Sequence, residues 1–209
     1  LLDDEPFKVR PEDRDRLRAT RAVGEDIERL LAEPRSRFCD ALKLFEKTSL
    51  KQKSVTGSII LDIADHYLWA ADWLDSLAAK EVIEDHVDIF FAEQVLRELA
   101  NDLRLVSQAL HVSHNKRVQF STDRIAQLYR RLTWIFSVEV QVFERKKYIS
   151  LSHEPNKAMN LNSYIGLMGG MYRQEETPDG IVLVPTTDKK SAHLVVPESD
   201  FLLTLDADS

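Results

Sequence analysis

Phe201-Leu202-Leu203-Thr204-Leu205-Asp206-Ala207-Asp208-Ser209 is the stretch on which the rest of this chain is read. A run of apolar, strand-favouring residues empties into an Asp-Ala-Asp triplet. In an extended chain successive side chains alternate sides, so Asp206 and Asp208 project the same way. Two carboxylates together at the carboxyl end of a buried strand suit a hard divalent cation. Mg²⁺ takes one or two protein carboxylates and completes its shell with water and substrate phosphate oxygens. Ligands of open α/β sheets also gather outside the carboxyl ends of the strands. Taken alone, the triplet is better read as a solvated turn after a strand, so its meaning depends on its company.

That company is upstream. Asn156-Lys157-Ala158-Met159-Asn160-Leu161-Asn162 opens a helix expected over 156–168 and ended by Gly169-Gly170. A lysine at a helix start combines its charge with free backbone N–H groups, which suits a diphosphate. Asn156, Asn160 and Asn162 offer hydrogen bonds to a sugar or ribose. Asparagine is a mediocre helix former, so three in seven residues point to a role beyond a solvated, capped helix. The chain opens on Leu1-Leu2-Asp3-Asp4-Glu5-Pro6, a second apolar run ending in acids, and Ser152-His153-Glu154-Pro155 leads into the asparagine-lysine stretch.

In chain order, Asp3-Asp4, then Asn156-Lys157 with Leu161-Asn162, then Asp206-Ala207-Asp208-Ser209, these stretches resemble the nucleotide-sugar-binding half of inverting, family-two glycosyltransferases, the group that includes cellulose-synthase-like enzymes. The resemblance is closest over residues 148–209 and covers only a few residues at the amino terminus. It implies an α/β fold: a partial GT-A-like nucleotide-sugar-binding sheet built from 1–9 and 148–209, carrying a large all-α helical insertion over 10–147. It further implies that Asp3, Asp4, Asn156, Lys157, Asn160, Asn162 and Asp206 bind the nucleotide sugar, most simply a UDP-sugar. Asp206 and Asp208 would hold Mg²⁺ or Mn²⁺, and the acceptor would be a carbohydrate or a lipid-linked group. The family's general base, and its acceptor-side Gln-x-x-Arg-Trp motif, belong to segments beyond the metal motif. The chain therefore reads as a fragment of a longer protein that binds donor and does not turn over alone.

Between the two ends the pattern is helical. Apolar residues at spacings of three and four predict helices over 11–34, ended by Pro34, and over 36–50 with Phe38, Ala41, Leu42 and Phe45 inward. A third, over 54–80, buries Ile60, Ile63, Ala64, Tyr67, Ala71 and Leu74. A fourth, over 86–111, buries Phe91, Val95, Leu99, Leu103, Val106 and Leu110. A fifth, over 123–147, carries Ile125, Leu128, Leu132, Ile135, Phe136 and Phe143, with a strand at Val138, Val140 and Val142 as the alternative. Strands are expected at 148–152 and at 201–205, and a hairpin at 171–176 and 181–186 around Thr177-Pro178-Asp179-Gly180.

Composition sets outer limits. At 209 residues the chain can bury one sizeable core or two modest ones. A net charge of −7 argues against binding nucleic acid through bulk electrostatics. One cysteine, Cys39, excludes an internal disulfide and suits a reducing compartment. No apolar run is long enough to span a bilayer. The expected location is the cytoplasm, or the cytoplasmic face of a membrane to which other parts of a longer protein are anchored. The alternative function is a non-enzymatic helical interaction module with a small β-rich tail. A further rival is a helical di-metal site built from Asp62, Asp65 and His66 with Asp85, His86, Asp88, Glu93 and Glu98. It lacks the Glu-x-x-His pairs that such bundles use, and a charged helix face accounts for it better. Trp69, Trp73 and Trp134 read as anchors between helices.

Overall fold

The computed structural model describes residues 14–49, 54–141, 143–154 and 156–204. Mixed helix and sheet are both present, as expected; the sheet is small, three-stranded and antiparallel. The chain divides into two units, Glu25–Val140 on the one hand and Leu1–Gly24 with Gln141–Ser209 on the other.

The helical unit is built around α2 (Gly57–Ala78). Its six periodic residues Ile60, Ile63, Ala64, Tyr67, Ala71 and Leu74 are all buried, together with Ala70 and Ala78. The alanines leave room for a partner, and α2 packs along α4 (Glu98–Asn115), which buries Ala100, Leu103, Ser107 and Leu110. α5 (Thr122–Ile135) starts at Ser121, whose Oγ accepts the Arg124 N–H at 3.3 Å. It buries Ile125, Ala126, Leu128, Tyr129 and Leu132. Phe38 and Phe45 of α1 (Arg14–Ser49) close the core, Phe45 stacked on Tyr129 with ring centres 4.9 Å apart. Cys39, a free thiol beside Phe38, is half-buried.

Three expectations fail in this unit, each for a physical reason. Pro34 does not end a helix: α1 runs through it as one element of 36 residues. A proline inside a helix removes one N–H and crowds the carbonyl four residues back, but Pro34 is almost fully buried, and tertiary packing outweighs the local preference. Second, 86–111 is not one uniform helix. α3 (His86–Phe90) passes into a π-helical segment, Phe91–Arg97, before α4. The wider turn shifts the inward face: Ala92 and Leu96 are buried, while Phe91 and Val95 are 41% exposed. Third, α5 stops at Ile135, and residues 137–141 form neither helix nor strand. The β-branched run that follows is costly in a helix, and Phe136, buried, caps the end. Val142 lies outside the described residues. Trp69 and Trp73 pack against the core, whereas Trp134 is 72% exposed.

The other unit has its own small core. β1 (Met171–Thr177) pairs antiparallel with β2 (Gly180–Pro185) on one side and β3 (Leu194–Val195) on the other. Thr177 faces Gly180 across the expected two-residue turn. α6 (Lys157–Ile165) leads through further turns to Gly169, whose φ of +74° reverses the chain as glycine permits. Tyr148, Leu167, Leu183 and Val196 are buried here, with Phe143, Leu151 and Tyr164 packed on them. The first turns of α1 belong to this unit, where Arg21 forks onto both Glu144 carboxylate oxygens at 2.8 Å.

Two expected strands are not formed. Of 148–152, only Tyr148 makes a bridge, parallel to Ile181, with the Ile149 N–H donating to the Ile181 carbonyl at 2.9 Å. A 3₁₀ turn at Arg145–Lys147 bends the chain immediately before it. In 201–204 there is no strand, and Phe201 and Leu203 are 92% and 82% exposed. Residues 201–204 pair with neither edge strand of the sheet, β2 or β3, so this apolar run stays outside the ladder.

Candidate functional site

The best-formed of the expected donor residues lie at the start of α6. Asn156 adopts extended backbone angles (φ −139°, ψ 152°), and its Oδ1 accepts the Met159 N–H at 2.8 Å. That is an N-cap bond to the third helical position. Lys157 follows as the first helical residue, its side chain exposed. Asn160 is one turn beyond Asn156, so Asn156, Lys157 and Asn160 share one side of the helix start, all exposed. Asn162 is also exposed but lies about 200° around the helix from Asn160, given 3.6 residues per turn. It does not join the other three. Asp3, Asp4, Asp206 and Asp208 lie outside the described residues.

The approach to α6 is fixed from beneath. Arg145, 1% exposed, donates from Nη2 to the Glu154 carbonyl at 2.7 Å. His153 Nε2 donates to the Tyr148 carbonyl at 3.0 Å, and the Asn156 N–H donates to the Glu154 carbonyl at 2.9 Å. Tyr148 Oη accepts from Gln174 Nε2 on β1 at 2.8 Å, and burial raises the Tyr148 pKa. These bonds tie the segment before α6 to the sheet. Within Arg145-Lys146-Lys147 nothing in the sequence marks the arginine as the buried member.

A second cluster lies in the helical unit. A cleft of about 350 Å³ is lined by Leu44, Phe45, Ile59, Asp62, His66 and Tyr129, among others. Tyr129 donates its hydroxyl to Asp62 Oδ2 at 2.6 Å, and His66 Nε2 is 3.7 Å from the same oxygen. Desolvation lowers the His66 pKa, with Arg37 adding to the effect, while Asp62 and Asp65 oppose it. Tyr129 is shifted upward by burial and by its bond to Asp62. Tyr129 is absent from the residues expected inward on this helix, although it shares a helical stripe with Ile125 and Leu132, and a buried tyrosine hydroxyl needs a partner.

Several of the helical residues weighed as metal ligands make other contacts. Asp85 and Asp88 form a capping box at the start of α3, and Asp65 lies 3.9 Å from His111. Among the described residues no group of three or more His, Cys, Asp or Glu side chains comes together to hold a metal ion. No helix of the described residues is long and apolar enough to cross a membrane. Comparison of the chain with protein-family models, with curated proteins and with solved structures gave no match in any of the three.

Proposed function

We propose that this chain is the donor-nucleotide half of an inverting glycosyltransferase of the family-two, GT-A type, with the helical unit as an insertion. The donor is a UDP-activated sugar, and the acceptor, a carbohydrate or lipid-linked group, is met by the other half. The observation that carries the reading is the start of α6: a capped helix with Asn156, Lys157 and Asn160 exposed on one side, followed in the sequence by Asp206-Ala207-Asp208-Ser209. The segment before α6 is held by the buried Arg145, which supports a preorganised site.

In this reading Lys157 and the positive end of α6 meet the diphosphate together. Asn156 keeps its Oδ1 in the cap and gives one amide N–H to Glu154 Oε2 at 3.4 Å, which leaves one N–H for the donor, and Asn160 adds a donor and an acceptor one turn on. The donor set fits a metal: Asp206 and Asp208 are hard oxygen ligands two residues apart, the chemistry that Mg²⁺ and Mn²⁺ take. When bound, the ion supplies Lewis-acid stabilisation of a departing nucleoside diphosphate. The general base is left to the acceptor half, so donor binding without turnover is the activity assigned to this chain.

Calorimetric titration of UDP with Mn²⁺, then with EDTA, tests this. The expected result is binding that requires Mn²⁺ and is lost in Asp206→Ala. A chain that stays silent here, and also when extended at both ends, would remove the enzyme and leave the helical interaction module.

A further inference from the structure

One surface of the helical unit has no role in the donor site. Val82, Ile83, Val87, Phe90, Phe91 and Val95 are between 41% and 71% exposed. Val87, Phe90 and Phe91 stand at i, i+3 and i+4 on one side of the helix, and Val95 follows four residues after Phe91. The π-helical segment produces this ridge: by turning Ala92 and Leu96 into the core, it turns Phe91 and Val95 out. Contiguous apolar side chains of this size on a surface mark a docking site.

Charge selects the occupant. Between residues 80 and 96 there are five acids, against one lysine and one histidine. Glu81, Glu84, Asp85 and Asp88 have no basic partner among the described residues, while Glu93 is paired with Arg97 at 3.1 Å. Two of the carboxylates are fixed in place: Asp85 Oδ1 accepts the Val87 N–H at 2.7 Å, and Asp88 Oδ2 accepts the Glu84 N–H at 2.8 Å. A second copy docked about a twofold axis would set these acids against themselves. A bilayer would have to take the same carboxylates into its headgroup layer, against the sign of an anionic membrane.

We propose that this ridge docks a basic amphipathic helix of a partner protein, whose apolar stripe covers Val87, Phe90, Phe91 and Val95 and whose flanking Lys or Arg residues meet the acids. The proposal does not depend on the glycosyltransferase reading. A fluorescein-labelled helical peptide of leucine and lysine, with leucines at i, i+3, i+4 and i+7, is the probe, and its counterpart with glutamate for lysine is the control. Anisotropy should show saturable binding of the lysine peptide and none of the glutamate peptide. Affinity should fall at least tenfold in Phe90→Ser/Phe91→Ser and in Glu81→Lys/Glu84→Lys. Phe90, Phe91 and Glu84 are exposed and Glu81 is half-buried, and none of the four belongs to the buried core, so circular dichroism should match the parent. Four results would overturn the proposal: no binding; binding indifferent to the two phenylalanines; dimerisation in sedimentation that the serine variant abolishes; or vesicle binding that it abolishes.

Discussion

At Gly180 the chain leaves the hairpin turn with φ +138°, and a Cβ there would come within 2.8 Å of an Ile149 methyl. Gly180→Ala should cost about 1–3 kcal/mol, the range for a residue held in such a conformation, read from the urea midpoint. His66 gives a pH signature. Burial lowers its folded pKa below the ordinary 6.5, so the unfolded chain binds the proton more readily. Stability from this residue is therefore full above pH 6.5 and drains away as pH falls toward the folded pKa. A His66→Gln variant should lose that part of the acid dependence in urea titrations run between pH 7.5 and 5. At this scale the sequence was most readable where one period ran unbroken: all six residues expected to be inward in α2 are buried. It was least readable at Arg145, where burial comes from the loop closing over the side chain and not from any pattern along the chain.

At the scale of elements, the hairpin was legible because Thr177-Pro178-Asp179-Gly180 specifies a turn locally, with no help from the rest of the molecule. The long helices were legible in kind and not in extent. Pro34 reads as a stop, yet α1 continues, because what holds its second half is the burial of Phe38 and Phe45 against other helices. Replacing it tests that balance. Pro34→Ala recovers about 3 kcal/mol of helix-interior penalty and forfeits about 0.8 kcal/mol for each of two buried methylenes. The net expectation is a gain of about 1 kcal/mol, seen as a higher urea midpoint. The π-helical segment was invisible for a different reason. A widened turn leaves an ordinary helical pattern in the sequence and reveals itself only in which residues are buried.

For the whole molecule, two cores with separate memberships predict separate folding. Residues 25–140, expressed alone, should give a helical circular dichroism spectrum and a cooperative melt, because Phe38, Tyr67, Leu103, Ile125 and Leu132 all lie within them. A non-cooperative melt would mean that the helical core needs the rest of the chain. The candidate donor site divides in the same manner. The helix start that carries Asn156, Lys157 and Asn160 was readable because a helix start is set locally by the residues that form it. That Asn162 stands apart from the other three follows from helical rotation, which a motif written as a string conceals.

Cys39 gives this molecule a built-in clock. It is the chain's single sulfhydryl, half-buried on α1 beside Phe38. An alkylating reagent thus has one sulfur to find, and the fraction of time that α1 lifts from its neighbours sets how fast it is found. Mass spectrometry of the labelled chain would follow that breathing directly, with no residue changed to do so.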